Sequence, residues 1–460
     1  MVDNHLVNKA ELFFRRRGLK VVKADQKGRP RPDLLIYKFD QAEDKKAEVV
    51  VEIKAQPTRE AQQQLMKYVQ DYEAEYALLV TEENFYWFDG ETFLPVDQPE
   101  FLVQQKFLFE HEPIKNVLFI VSESLRGNFS RKQIGQIMIQ VLLVRAYLDE
   151  SDKFDQWWDI RTEDQFLTLI EEAINYYQLN VRPIQYGLSD EYIHLYIKEL
   201  GALPPRDIVL AETFYDIFQQ EYPENLTTET IREVFAKFTR ELNFAKEKVV
   251  DLTAGLGMTA FAVMEANQFR QLTSFEINEQ TTTLMQMLAI ISNYSVQAIC
   301  ADSLQPHEQL QHNSYSLTLL TPPFGYRYKL TDKQKDMYNL AKHRPPRDAA
   351  DLFMERAIQV TERGGYIVAL VPETILFSKA SQLTRDFIKE QTIIEAIISL
   401  PAHALKPFAM VRASLLVLRK KTDVDETAEN LFISATESIE DIKKIAEGFS
   451  LWKKGVNNFA

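Results

Sequence analysis

A single cysteine, Cys300, among 460 residues rules out an internal disulfide and any zinc site built from cysteine thiolates. It suits a reducing cytoplasm. No stretch approaches the roughly 18 apolar residues that a membrane span needs, and the opening Met-Val-Asp-Asn-His-Leu lacks the apolar centre of a secretory signal. The sequence therefore reads as cytoplasmic, with no membrane partner. Gly-x-x-x-x-Gly-Lys-Ser/Thr is missing, which excludes a P-loop motor in this chain. Basic residues are outnumbered, 53 Lys and Arg against 67 Asp and Glu, for a net charge of -14. Such a chain does not coat nucleic acid nonspecifically, so any contact with it must use local basic patches or a partner subunit. What is present is an ordinary soluble composition, 45% hydrophobic and 26% charged, long enough for two or three cores at about 150 residues each.

The chain is organised around Asp251-Leu-Thr-Ala-Gly-Leu-Gly257-Met-Thr-Ala-Phe261. It follows the apolar Val249-Val250 and leads into a helix-forming segment, so it reads as strand, glycine turn and helix. Gly255 and Gly257 allow a sharp bend and a close approach to a ligand, where a Cβ would intrude. Leu272-Thr-Ser-Phe-Glu276 is a second strand ending in a carboxylate, at about the spacing where an acid meets ribose hydroxyls. A third, Val296 to Asp302, ends in another carboxylate. A fourth, Tyr315 to Leu320, runs into Thr321-Pro322-Pro323-Phe324-Gly325. Strands and helices alternate onward to Ser414-Leu-Leu-Val-Leu418, which predicts a twisted, mostly parallel sheet with helices on both faces and ligands beyond the carboxyl ends of its strands.

In order, Asp-x-Thr-x-Gly-x-Gly, Phe-Glu-Ile-Asn, Ala-Asp-Ser-Leu and Thr-Pro-Pro-Phe-Gly resemble the motif series of adenine-N6 DNA methyltransferases, above all the modification subunit of type I restriction systems. The resemblance continues through Gly364 to Pro372, Ile397 to Pro401 and Arg412 to Lys420. It implies S-adenosylmethionine as cofactor: Asp251, Thr253, Gly255 and Gly257 around its methionine part, Glu276 on the ribose, and Asp302 on the adenine edge. It also implies an acceptor site formed by Thr321, Pro322, Pro323 and Phe324, where a polar side chain and a proline carbonyl take hydrogen bonds from the exocyclic amine of a flipped adenine and the aromatic ring stacks on it. The family carries Asn, Asp or Ser where this chain has Thr321. A hydroxyl accepts as a carboxamide does, but it is shorter and sits on a branched side chain. The family's Phe-Tyr-Thr-Pro motif is replaced here by Asn225-Leu-Thr-Thr-Glu229, which keeps Thr227.

The N-terminal part has a different pattern. Val7 to Arg17 is a candidate helix stopped by Gly18, followed by a locally basic stretch. Pro32-Asp33-Leu-Leu-Ile-Tyr and Glu48-Val-Val-Val-Glu52-Ile-Lys54 read as strands, and period-two alternation places Glu52 and Lys54 on one face. A carboxylate on one strand with Glu-x-Lys on the next suits a hard divalent cation and an activated water. Pro-Asp with Glu-x-Lys resembles the PD-(D/E)XK nuclease superfamily. That resemblance implies Mg2+ held by Asp33 and Glu52, with Lys54 orienting the water, Glu11 as an acid of the first helix, and Gln64 and Tyr68 as the Gln-x-x-x-Tyr pair on one helical face.

The expected fold is α/β. It comprises an α/β restriction-endonuclease-like domain at 1–110, a helical connector at 111–245, a Rossmann-like S-adenosylmethionine-dependent methyltransferase domain at 246–425 and a C-terminal tail at 426–460. Stripes such as Ile134, Ile137, Met138, Val141 and Leu142 mark the connector as packed helices, with a break at Leu203-Pro-Pro-Arg206. Only about forty residues follow Lys420, so double-stranded DNA would be read by a separate specificity subunit, with room for a motor subunit beside it. The functional expectation is a restriction-modification or phage-defence protein of type IIB or IIG kind, combining metal-dependent cleavage with adenine methylation. Two alternatives stay open: a methyltransferase-like scaffold that binds cofactor or DNA as a sensor while only the nuclease works, and a modification subunit whose nuclease-like domain is inert.

Overall fold

The structure, a computed structural model, describes the chain apart from residues 1–5, 8–9, 11–13, 15–18, 24–30, 39–45, 82–83, 98, 100–110, 202, 222–226, 344–347, 403, 406–410, 428–429, 437, 439–440 and 456–460. It divides into two compact units: Met1–Tyr176 with Arg182–Thr213, and Tyr177–Val181 with Phe214–Ala460. Among the described residues no helix is long and apolar enough to cross a membrane.

The first unit begins with a sheet in the order β1-β2-β3-β4-β5-β6, formed by Leu19–Lys23, Leu34–Lys38, Val49–Ile53, Tyr76–Val80, Phe85–Asp89 and Pro95–Val96. β3 and β4 are parallel and are joined by the helix Arg59–Tyr72, whose first turn is capped by Thr58 accepting from Ala61 N. Both faces of the sheet are buried. Leu34, Ile36, Val49, Val51 and Ile53 pack on one side with Leu6, Ala10 and Phe14. Leu35, Tyr37 and Val50 pack on the other against Ala61, Leu65 and Tyr68. This double burial explains the apolar run Val49-Val50-Val51 that opens β3, since a strand covered on both faces has no reason to alternate, and it makes the buried Glu52 that interrupts the run stand out.

Helices make up the rest of this unit. Arg131–Glu150 opens with a capping box between Ser130 and Gln133. Its fully buried Arg145 donates to the carbonyls of Leu203 and Pro204 at 2.7 and 3.2 Å. The Leu203-Pro-Pro-Arg206 break is thus an anchored turn, and the unit continues beyond it to Thr213.

The second unit is built on an eight-stranded sheet, order β14-β12-β13-β11-β10-β7-β8-β9, where β7 to β14 are Val249–Asp251, Gln271–Glu276, Ser295–Cys300, Tyr315–Leu320, Thr361–Pro372, Thr392–Ser399, Ala413–Lys420 and Phe432–Ala435. β9, β8, β7, β10 and β11 run parallel to one another, and β13 runs antiparallel between β11 and β12. Strand order reverses between β7 and β10, which opens a crevice at their carboxyl ends. The chain after 426, expected as a tail, is part of this sheet: β14 pairs with β12. The helix Ile442–Lys453 buries Phe449 against Phe238, Phe432 and Trp452. Its buried Ile442, Ala446 and Phe449 recur at four- and three-residue spacing, an amphipathic stripe already present within the stretch expected as a tail.

Phe449 is 0% exposed, so Phe449→Ala should cost about 3–5 kcal/mol. That loss should appear as a lowered urea midpoint; an unchanged midpoint would mean the C-terminal helix is not part of the core.

Candidate active site

Asp251 ends β7 and is 1% exposed. Its Oδ1 accepts the Thr253 N–H at 3.0 Å. Burial pushes its carboxyl up to about 7, and the nearby Glu276 adds to the rise while the Thr253 hydrogen bond opposes it. The glycine turn follows, with Gly255 at φ 54° and Gly257 at φ 81°, both left-handed, as the sequence predicts. For Gly257 the packing of the chain adds a second reason to the close approach expected of it. A Cβ there would lie 2.8 Å from Phe261 Cζ and 3.0 Å from Met285 Cγ, so its smallness serves the positive φ and the packing of the helix Met258–Asn267 behind it.

Glu276, at the end of β8, uses both carboxylate oxygens to hold turns. Oε2 accepts Gly255 N–H at 3.0 Å and Oε1 accepts Asn278 N–H at 2.8 Å. Each oxygen keeps a second lone pair for a ligand. Asp302 follows β9; its Oδ1 accepts Leu304 N–H at 2.9 Å and its Oδ2 accepts the hydroxyl of Tyr328. Three adjacent parallel strands therefore deliver three carboxylates to one edge of the sheet.

The acceptor loop leaves β10 across the switch point. Thr321 N–H donates to Thr253 Oγ1 at 2.8 Å, and the Thr321 hydroxyl donates to the Thr253 carbonyl at 3.3 Å. Beyond Phe324, Gly325 N–H donates to Asp348 Oδ2 at 3.1 Å, and Ala349 N–H to the Tyr326 carbonyl at 2.7 Å, so the N-terminus of the helix Ala349–Val360 clamps the far side of the loop. Pro322 is buried, Phe324 is half-buried and Pro323 is exposed. The motif-bearing residues of the second unit are thus brought together as expected. Sequence reading missed their supports: Ser303, whose hydroxyl donates to the Leu252 carbonyl at 2.7 Å, Arg356, which donates to the carbonyls of Ser303 and Gln305, and Tyr328. Ser303 lies within Ala-Asp-Ser-Leu, but the motif assigns a role only to Asp302; Arg356 and Tyr328 belong to none of the motifs. Only an aromatic polar residue four positions past Phe324 gave a sign.

In the first unit, β2 and β3 pair with Leu34 opposite Val51. Continuing this antiparallel register by one step sets Asp33 opposite Glu52, on the face that carries Tyr68. Asp33 Oδ2 accepts Ile53 N–H at 2.7 Å, and Lys54 Nζ donates to Glu52 Oε1 at 2.6 Å. Glu52 is 3% exposed, and its Oε2 is buried with no hydrogen-bond partner among the described residues. Burial raises both carboxyls above their usual range, and Asp33 pushes Glu52 further up, against the pull of Lys54. The same pair raises the Tyr68 phenol, after burial. Gln64, expected beside Tyr68, is exposed one turn earlier, and Glu11 lies outside the described residues. Among the described residues no group of three or more His, Cys, Asp or Glu forms a metal cluster, so the carboxylates here are a pair.

Topology and carboxyl-end loops together define the α/β fold of S-adenosylmethionine-dependent methyltransferases. A putative class I S-adenosylmethionine-dependent methyltransferase from Listeria monocytogenes superposes with TM-score 0.51 at 17% identity, covering 75% of this chain and 99% of that one. The methyltransferase subunit of a type I restriction-modification system from Streptococcus thermophilus gives TM-score 0.52 at 13% identity, covering 74% and 93%. In sequence, the methylase subunit of the type I restriction enzyme MpnII from Mycoplasma pneumoniae is 22% identical over 388 residues, 74% of this chain and 69% of the relative. The family model for N-6 DNA methylases matches residues 221–451. The chain belongs to the N-6 DNA methylase family.

For Asp251, a folded pKa near 7 against an ordinary 3.8 means the folded state binds the extra proton between these values. Its contribution to stability is present at low pH and is lost as pH rises toward about 7. The stability difference between wild type and Asp251→Asn should therefore move against wild type from pH 5 to about 7 and level off above 8, as measured by denaturant midpoints. A flat difference would place Asp251 in a solvated setting.

Proposed function

We propose that the second unit transfers a methyl group to the exocyclic N6 of adenine in duplex DNA. The observation that carries this reading is the double hydrogen bond from Thr321 to Thr253, which fixes an acceptor loop directly against a glycine turn whose buried carboxylate has no cationic partner among the described residues. That carboxylate, Asp251, fits the ammonium of a methionine moiety. The free lone pairs of Glu276 fit ribose hydroxyls, and Asp302 fits an adenine amine. S-adenosylmethionine, when bound there, supplies an electrophilic methyl group. The protein's part is to present the amine. Because the Thr321 proton is directed at the Thr253 carbonyl, the hydroxyl's lone pairs remain as acceptors. With the Pro322 carbonyl they take the two N6 hydrogens, turning the nitrogen lone pair out of the ring plane toward the methyl donor, and Phe324 stacks on the flipped base. The amine then releases a proton to solvent.

The relatives' description as methylase subunits supports a reading in which sequence specificity comes from a separate partner. Removing one preorganised acceptor costs on the order of a hundredfold in rate. With that partner and a matched duplex, Thr321→Val should lose about that factor in kcat with little change in cofactor affinity, while Thr321→Asn, with a longer acceptor, should keep or raise transfer. Cofactor binding without transfer in wild type and Thr321→Asn alike would favour the sensor alternative, to which the departure at Thr321 gives some weight.

We also infer a metal-dependent DNA-cleaving site in the first unit, resting on Asp33, Glu52 and Lys54. A Glu52 Oε2 with no hydrogen-bond partner among the described residues, two carboxylates opposite each other with raised pKa values, and a strand-end location fit a hard divalent cation such as Mg2+, with Asp33 and Glu52 as its ligands. Held there, such an ion would supply polarisation of the scissile phosphate and a bound water of lowered pKa. Lys54, 38% exposed at its side chain, is placed to hold that water or the developing charge. Tyr68 buttresses the pair from the helix behind. Glu52→Gln and Lys54→Ala should each abolish magnesium- or manganese-dependent cleavage of duplex DNA by the complex and leave methyl transfer intact. Cleavage by either variant at the wild-type rate would make the first unit inert.

A further inference from the structure

The acceptor loop is held at both of its ends by cofactor-side loops. Its start hangs on Thr253, as described. Past Phe324 the chain turns back, and the hydroxyl of Tyr328 donates to Asp302 Oδ2 while accepting from Gln305 Nε2 at 2.8 Å and from Gln334 Nε2 at 2.9 Å. Gln334 is 2% exposed and closes the capping box of Thr331. Gln305 belongs to the Asp302 loop, whose backbone is held from outside by Arg356 and by Tyr338, which is 0% exposed and donates to the Leu304 carbonyl at 2.7 Å. One phenol oxygen thus gathers the carboxylate assigned to the cofactor's adenine, a neighbour of that carboxylate, and the segment that follows the acceptor loop.

Burial and the Asp302 hydrogen bond push the Tyr328 phenol up to about 12, so it stays protonated and donates throughout the neutral range. With Leu304 N–H on Oδ1, and Tyr328 and, at 3.4 Å, Gln305 Nε2 on Oδ2, the carboxylate of Asp302 is held from both sides, and the lone pair left on Oδ1 points in a fixed direction. A group that draws on that lone pair strengthens or strains the Tyr328 bond, and any movement of Tyr328 carries the acceptor segment with it.

We propose that Tyr328 is a positioning residue that couples occupancy of the cofactor's adenine site to the setting of the acceptor loop. The coupling rests on the cofactor reading given above. It makes the methyl-accepting geometry a consequence of cofactor binding, and by reciprocity it makes a base in the acceptor loop tighten the hold on cofactor.

The test is amide hydrogen exchange on the full chain, with S-adenosylhomocysteine as the probe. In wild type, the probe should slow exchange in peptides covering 251–257 and 302–305, and also in 321–334, by about fivefold or more, in keeping with ordinary coupling strengths. In Tyr328→Phe, the first two segments should keep their protection while that of 321–334 falls to less than half. Gln305→Ala, which removes one donor to the same oxygen, should act in the same direction and more weakly. In turnover assays Tyr328→Phe should lower kcat about tenfold with the KM for the methyl donor changed less than threefold. Undiminished protection of 321–334 in Tyr328→Phe, or none there in wild type, would overturn the proposal. Absence of protection at 251–257 in wild type would instead overturn the cofactor reading, and the coupling with it.

Discussion

The hydrogen bond from Thr321 N–H to the Thr253 hydroxyl crosses the point where the strand order of the large sheet reverses, and the rest of the second unit is arranged to let it form. On one side stands β7 with the glycine turn, on the other β10 with the two prolines. A doubly wound sheet leaves a crevice between two such strands, which here is only one hydrogen bond wide. The net worth of that bond is on the order of 1 kcal/mol, small against the stability of the domain. Its value is geometric, because it sets the acceptor loop against the turn without relying on a ligand.

Carboxylates at the ends of β7, β8 and β9 are costly when nothing is bound. Asp251 is buried and its pKa is raised to about 7, with Glu276 contributing to the rise. Glu276 and Asp302 are anchored by backbone N–H groups, which lower the cost without removing the capacity to accept more hydrogen bonds. A site strained in this way favours a ligand that carries a cation and hydrogen-bond donors. The first unit follows a similar logic on a smaller scale. Burial makes both Asp33 and Glu52 costly, Asp33 adds to the cost of Glu52, and Lys54 compensates one Glu52 oxygen while the other has no hydrogen-bond partner among the described residues. In both places the polar groups are held by backbone registers rather than by loose side chains, which is what preorganisation requires.

Much of this was legible in the order of residues. Strand ends closing on Asp251, Glu276 and Asp302, two glycines with positive φ, and a proline pair after the fourth strand fix the sheet and the contents of its edge. The period-two alternation that set Glu52 beside Lys54 also held, although β3 is buried on both faces. What could not be read were contacts between distant positions. Thr253 and Thr321 are 68 residues apart, and Tyr328 reaches Asp302 across 26; nothing local distinguishes either side chain from a solvated one. Gln64 lies one turn before Tyr68 on the same side of the helix, and it is exposed while Tyr68 is buried. The helix Ile442–Lys453 carries a regular stripe, Ile442, Ile445, Ala446, Phe449 and Trp452, so it was legible at helical spacing within the stretch expected as a tail.

The central claim is that the turn at Thr253 and the loop at Thr321 form one site for adenine methylation. The most direct measurement is mass-spectrometric analysis of nucleosides from duplex DNA incubated with the purified complex and a methyl-deuterated donor. The account predicts label in N6-methyldeoxyadenosine and in no cytosine product. Label on cytosine, or none on DNA in a preparation that binds both the donor and the duplex, would contradict it.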